Sequence, residues 1–118
     1  MRHQKADKRL GRNDDHRRSM LRNLVTSLFT HGKIETTVVR AKETSRVASR
    51  LITRAKKADL ASRRAVSAYL TDEAVAKKLV DQIAPSLANR HGGYTRIVRT
   101  RIRKGDAAEL AQLELLTS

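Results

Sequence analysis

At 118 residues the chain has the length of one domain, enough to bury a core without cross-links. It contains no cysteine, which excludes a disulfide framework and a cysteine-ligated zinc site. A formal charge of +14 and a pI of about 11.3 point to a polyanionic partner, because self-repulsion of that size disfavours the compact state unless a polyanion is near.

No apolar run approaches the ~18 residues a bilayer span requires. The polar N-terminus also lacks the apolar segment of a secretory signal. The expectation is a soluble cytoplasmic protein with no membrane partner. Phe29, Tyr69 and Tyr94 are the only aromatic residues, so the core must be built from Leu, Ile, Val and Ala.

Residues 1–13 carry Arg2, Lys5, Lys8, Arg9 and Arg12 against Asp7, and Leu10 is their only sizeable apolar side chain after Met1. Nothing in this stretch can offset the entropy of ordering, so it reads as a basic N-terminal arm that a partner must order. Asn13, Asp14 and Asp15 then offer N-caps. Met20, Leu21, Leu24, Val25, Leu28 and Phe29 form one helical stripe, predicting a helix over residues 15–31 that Gly32 stops. Arg18 and Arg22 lie away from the stripe, with Arg17 on its flank.

Residues 34–37 are β-branched and alternating, a short strand whose Thr36 or Thr37 caps the next helix, over residues 38–57. Ala41, Val47, Ala48, Leu51, Ile52 and Ala55 fall on its inner face, while Arg46, Arg50 and Arg54 follow i, i+4, i+8 on the other, with Lys57 a turn further. A solvated helix face explains such a row, but mutual repulsion along it favours a phosphate-facing one. Asp59 caps a short helix through Ala61, Ala65, Ala68 and Tyr69 with Arg63 and Arg64 outward. Thr71 caps another with Val75, Leu79, Val80 and Ile83 inward, which Pro85 ends or bends by pushing its predecessor out of helical geometry.

From Gln82 to Gly105 there is no acidic residue, and the segment holds Arg90, Arg96, Arg99, Arg101, Arg103 and Lys104 beside Gly92 and Gly93. Residues 94–102 read as a strand, Lys104, Gly105 and Asp106 as a turn, and Ala111, Leu113 and Leu115 as the inner face of a last strand. Alternation alone allows either face of the first of these strands to point inward; the reading taken is Val98 and Ile102 inward, arginines outward. The architecture that follows is α+β and two-layer: helices packed on a small three-stranded mixed sheet, with the arm projecting. Residues 14–118 would form a single α+β RNA-binding domain.

The candidates for chemistry are His3, His16, His31 and His91 with scattered carboxylates, and they form no nucleophile, acid or base constellation. No histidine pair has i, i+3 or i+4 spacing, so neither a metal nor another cofactor is expected. His3 and His16 sit in or beside the arm, where imidazole suits phosphate contact or base stacking. Tyr94, beside the two glycines, either stacks on a base or sugar or is simply packed. A small-molecule substrate is not expected. Membrane binding would need an exposed apolar face that so short a chain cannot spare, and no base-reading helix pair stands out for sequence-specific DNA recognition. A basic arm with arginine-rich faces suits structured RNA, leaving a nucleoid-type DNA-binding protein and an RNA-processing nuclease as the alternatives.

The residues carry a resemblance as well. MRH at 1–3, LGR at 10–12, His16-Arg17, Leu21-Arg22-Asn23-Leu24, IETT at 34–37, AKE at 41–43 and LIT at 51–53 resemble the bacterial large-subunit ribosomal protein family L-seventeen. GGYTRI at 92–97, then Arg103, Gly105, Asp106 and Leu113-Glu114-Leu115, continue the series in order. Two departures are Glu109, where the family often has proline, and Ala48 with Ser49, where an acidic residue is common. The resemblance implies a structural constituent of the large ribosomal subunit that binds its long (23S-type) rRNA without catalysis, near the peptide exit region, with other large-subunit proteins as neighbours. The RNA-binding set expected on both grounds is Arg2, His3, Lys5, Lys8, Arg9, Arg12, His16, Arg17, Arg18, Arg22, Arg46, Arg50, Tyr94, Arg96, Arg99 and Arg101.

Overall fold

A computed structural model describes residues 14–116, with Asp14 described by its backbone alone. Helix α1 spans Asp14–His31, one residue longer than its apolar stripe predicts. It ends where Gly32 takes a φ of +83° and donates its N–H to the Leu28 carbonyl at 2.7 Å. Strand β1, Lys33–Thr37, follows, and Thr37 caps α2, Val38–Ala55, by accepting from the Arg40 N–H; α2 stops two residues short of the expected 38–57, with Lys56 as its C-cap. Asp59 caps α3, Leu60–Tyr69, through the Ser62 N–H. These boundaries depend on contacts within three or four residues, so the local pattern suffices to place them.

Four local readings are corrected. In α3 the buried side chains are Ser62 and Val66, whereas Ala61 and Ala68 are exposed. Asp72, not Thr71, caps α4, Glu73–Lys78, by accepting from the Ala74 N–H at 2.9 Å; the Thr71 hydroxyl and N–H bond Thr26 Oγ1 instead, tying this corner to α1. Pro85 does not expel its predecessor from helical geometry. Ala84 stays α-helical, with its N–H on the Leu79 carbonyl, because a π-helical turn at Leu79–Ile83 resets the hydrogen-bond ladder just before α5, Ala84–Ser86.

The fourth correction concerns the sheet. Strands β2, Thr95–Ile102, and β3, Glu109–Leu115, form the hairpin, and β3 lies centrally in the order β1-β3-β2. Both neighbours run antiparallel to it, so the sheet is antiparallel throughout rather than mixed. Ile97 lies opposite the fully buried Leu113 and packs on the core, while Val98 (45%) and Ile102 (65%) are exposed. The inward reading of Val98 and Ile102 therefore fails. Val98 pairs with Gln112, next to Leu113 and so on the opposite face, and Ile102 lies at the sheet's end opposite the exposed Glu109; a bulge at Thr100, with Arg99 opposite Ala111 and Arg101 opposite Leu110, breaks the two-residue period between them.

Helix α2 packs against all three strands and against α1 and α3. Val25, Leu28, Phe29, Ile52, Val66, Leu79, Leu87 and Leu113 form the fully buried centre. Two bonds fasten the end of β3: Leu115 N–H to Gly32 O and Leu116 N–H to Tyr94 O, each 2.9 Å. Among the described residues no helix is long and apolar enough to cross a membrane.

Candidate nucleic-acid interface

The expected contacts at Arg2, His3, Lys5, Lys8, Arg9 and Arg12 lie outside the described residues. The remaining candidates divide into two groups. Residues 17, 18 and 21 share the first turns of α1, and Val47, Arg50 and Leu51 one side of α2, because i, i+3 and i+4 positions are neighbours on a helix. The crossing of α1 with α2, closed by Tyr69 at the end of α3, brings these six into an open groove of about 280 Å³. Leu21 and Leu51 are buried in its floor and Val47 and Tyr69 are half-buried, while Arg18 and Arg50 stand exposed at its rim and Arg17 is half-buried. Among the described residues Arg18 pairs with Asp15 at 3.2 Å, an exposed contact one turn away, and Arg50 has no ion pair. His16 is exposed on the same end of α1.

Two nearby arginines are tied into the fold. Arg22 donates from Nε to Tyr69 O (2.7 Å) and from Nη2 to Ala68 O (3.3 Å), and lies 5.9 Å from the Tyr69 ring centroid. It thus satisfies carbonyls at the end of α3, where a cation is favoured by the helix dipole, and does not simply face away from the stripe. Arg46 donates to Glu43 at 3.2 Å, and Glu43 is only 3% exposed.

The second group is on the sheet. Arg96 reaches Glu114 directly across the β2–β3 pair at 3.1 Å; Arg99 meets Glu109 at 2.9 Å, and Arg101 meets Glu35 at 3.1 Å. Hydrogen bonds from Thr100 and Arg101 hold the Glu35 carboxyl below the usual range, and Arg96 does the same for Glu114. The acid-free stretch of sequence is thus matched by carboxylates from β1 and β3.

Tyr94 is 2% exposed, so its ring offers no face to a base, and the stacking role is corrected to packing. Its hydroxyl lies 3.5 Å from Thr53 Oγ1 and accepts from Lys56 Nζ at 3.0 Å; these contacts, Thr53 first, keep its pKa below the ordinary phenol value. Lys56 also donates to the Arg90 carbonyl and stands 4.9 Å from the Tyr94 ring centroid. This clamp holds the Gly92–Gly93 loop from below. A sequence reading misses it, because nothing local links Lys56 to Tyr94.

Among the described residues no three His, Cys, Asp or Glu side chains group as a metal site. Comparison with known proteins gives a consistent outcome. The family model described as Ribosomal protein L17 matches residues 20–116. The large ribosomal subunit protein bL17 of Clostridium acetobutylicum is 56% identical over 109 residues, which cover 92% of this chain and 96% of that protein. Its counterpart in Fusobacterium nucleatum is 53% identical over 116 residues, covering 98% and 100% respectively.

Proposed function

Because the chain belongs to the ribosomal protein L17 family, we propose that this structural, non-enzymatic constituent of the large ribosomal subunit binds large-subunit rRNA through its basic residues 1–13 together with a basic helical surface. That surface comprises His16, Arg17 and Arg18 of α1 and Arg50 of α2. The observation that carries the reading is the convergence of Arg17, Arg18 and Arg50 on one groove at the helix into which the basic segment 1–13 leads. Phosphate neutralisation there releases counterions and relieves the self-repulsion of a +14 chain. Arg46, held by Glu43, and the sheet arginines Arg96, Arg99 and Arg101 would extend the footprint, and Arg22 would contribute those N–H groups that α3 leaves unused. The other occupants of its surroundings would be large-subunit proteins; a position near the peptide exit rests on the family resemblance alone.

The test is the full chain with Arg2, Lys5, Lys8, Arg9 and Arg12 changed to Gln, measured for binding to transcribed bacterial large-subunit rRNA over a range of salt. Five lost phosphate contacts lower the salt slope by roughly 3.5 to 4.5 units, on the scale of about 0.7 to 0.9 per contact. Duplex DNA added as competitor should displace little of the rRNA. An unchanged slope, or equal competition by DNA, would refute the reading.

A further inference from the structure

The groove has a feature that phosphate binding does not require: its floor is apolar. Leu21 and Leu51 close the bottom, and Val47 and Tyr69 form its walls. Phosphates on a duplex would be served by the rim arginines over any floor, because they are read by charge and hydrogen bonding. A recessed apolar groove rimmed by cations is suited instead to a ligand that is flat and apolar on its faces and anionic at both ends. An unpaired nucleotide has that chemistry. Its base can lie against aliphatic and aromatic side chains while the flanking phosphates meet arginines.

We propose that this groove receives the base of a single unpaired rRNA nucleotide, packed against Leu21, Val47, Leu51 and Tyr69, with its flanking phosphates held by Arg18 and Arg50. The inference rests on the proposed rRNA binding and specifies what one part of that surface reads. The volume of about 280 Å³ falls just short of the roughly 300 Å³ at which drug-sized pockets begin, which suits one ring system. Charge selects the occupant. The chain's own segment 1–13 supplies one large aliphatic side chain within reach in sequence, Leu10, but brings five Lys or Arg against one Asp to a rim that is already cationic. A polyanion is complementary to that rim, and the basic segment is not.

The experiment uses the full chain and transcribed bacterial large-subunit rRNA. Chemical probing of unpaired bases first identifies any nucleotide protected by the parent protein and left reactive with Val47→Phe, a half-buried position where a larger side chain fills the groove. Removing that base from the RNA should weaken parent binding about tenfold, as expected for one stacked base. The same abasic RNA should cost the Val47→Phe protein nothing further. Arg50→Gln provides a second route that leaves the apolar floor intact: it should lower the salt slope by about one unit while base protection weakens.

Three results would overturn the proposal: no base protected by the parent but not by Val47→Phe, an abasic RNA bound as tightly as the parent RNA, or full rRNA affinity in Val47→Phe with lost incorporation into large subunits. The last would put a protein in the groove. Each is distinct from failure of the rRNA reading itself, in which the parent protein shows no salt-dependent rRNA binding.

Discussion

The two arginine-rich regions of this protein look alike in sequence and differ in space. On the sheet, Arg96, Arg99, Arg101 and Arg103 each meet a carboxylate, from Glu114, Glu109, Glu35 and Asp106 respectively. Around the helical groove, among the described residues, Arg18 has the exposed Asp15 beside it and Arg50 pairs with no carboxylate. Exposed pairs are worth little to stability, at most about 1 kcal/mol. They matter here because each carboxylate keeps its charge near any approaching phosphate and cancels part of the attraction. Basic composition locates two candidate surfaces, and the disposition of the described acids distinguishes them.

This contrast yields its largest expected effect in a pair of triple variants. Changing Arg17, Arg18 and Arg50 to Gln should reduce rRNA affinity on the order of 100-fold at moderate salt and flatten the salt slope by about 2 to 3 units. The same change at Arg96, Arg99 and Arg101 should cost under about tenfold, since these arginines are already engaged by carboxylates and lie outside the groove. Equal losses would dissolve the distinction between the regions. A smaller effect of opposite sign is expected when the acids are removed. Glu35→Gln combined with Glu114→Gln unmasks Arg101 and Arg96, so rRNA affinity should rise about threefold, more at low salt than at high. A fall in affinity would show that those pairs orient the arginines rather than mask them.

What could be read in the sequence follows the range of the interactions involved. Thr37, Asp59 and Gly32 act on backbone groups three or four residues away, and their positions alone place the end of α1 and the starts of α2 and α3. Ile97 shows the opposite case. Its burial depends on pairing with Leu113, and that pairing has no local signature in TRIVRTRI. The partners of the sheet arginines are equally remote: Glu35 is 66 residues from Arg101 in the chain. Part of the groove was visible as Arg50 within its i, i+4 row and as Leu21 and Leu51 within apolar stripes. That the two stripes leave an apolar floor open beside a cationic rim depends on how α1, α2 and the end of α3 cross. Beside the glycine pair the sequence leaves Tyr94 open to stacking or packing, and its burial against Thr53 and Lys56, some forty residues earlier in the chain, decides for packing.

The smallest expected effect comes from the turn between β2 and β3, and it tests whether the sheet side is structural. Asp106 accepts two bonds from Arg103, at Nε (3.1 Å) and Nη2 (2.6 Å), and one from the Ala108 N–H at 3.2 Å. These contacts, Arg103 foremost, lower its pKa from 3.8 to about 2. They hold a turn in which Ala107 takes a φ of +57°, a conformation that costs an L-residue about 1 kcal/mol. Because the folded-state pKa is depressed, the carboxylate's contribution is complete above the unfolded-state value near 3.8 and is lost as pH falls through about 2. An NMR titration should therefore find the Asp106 carboxyl with a midpoint near 2, and the Ala107 and Ala108 amide signals unchanged from pH 7 down to about 4 before they shift. Asp106→Asn should show loosened amides already at neutral pH and no step below 4, with rRNA affinity within about twofold of the parent, because the turn carries no part of the groove. An affinity loss rivalling that of the groove triple would instead make the hairpin turn a principal RNA contact, and the two regions would exchange roles.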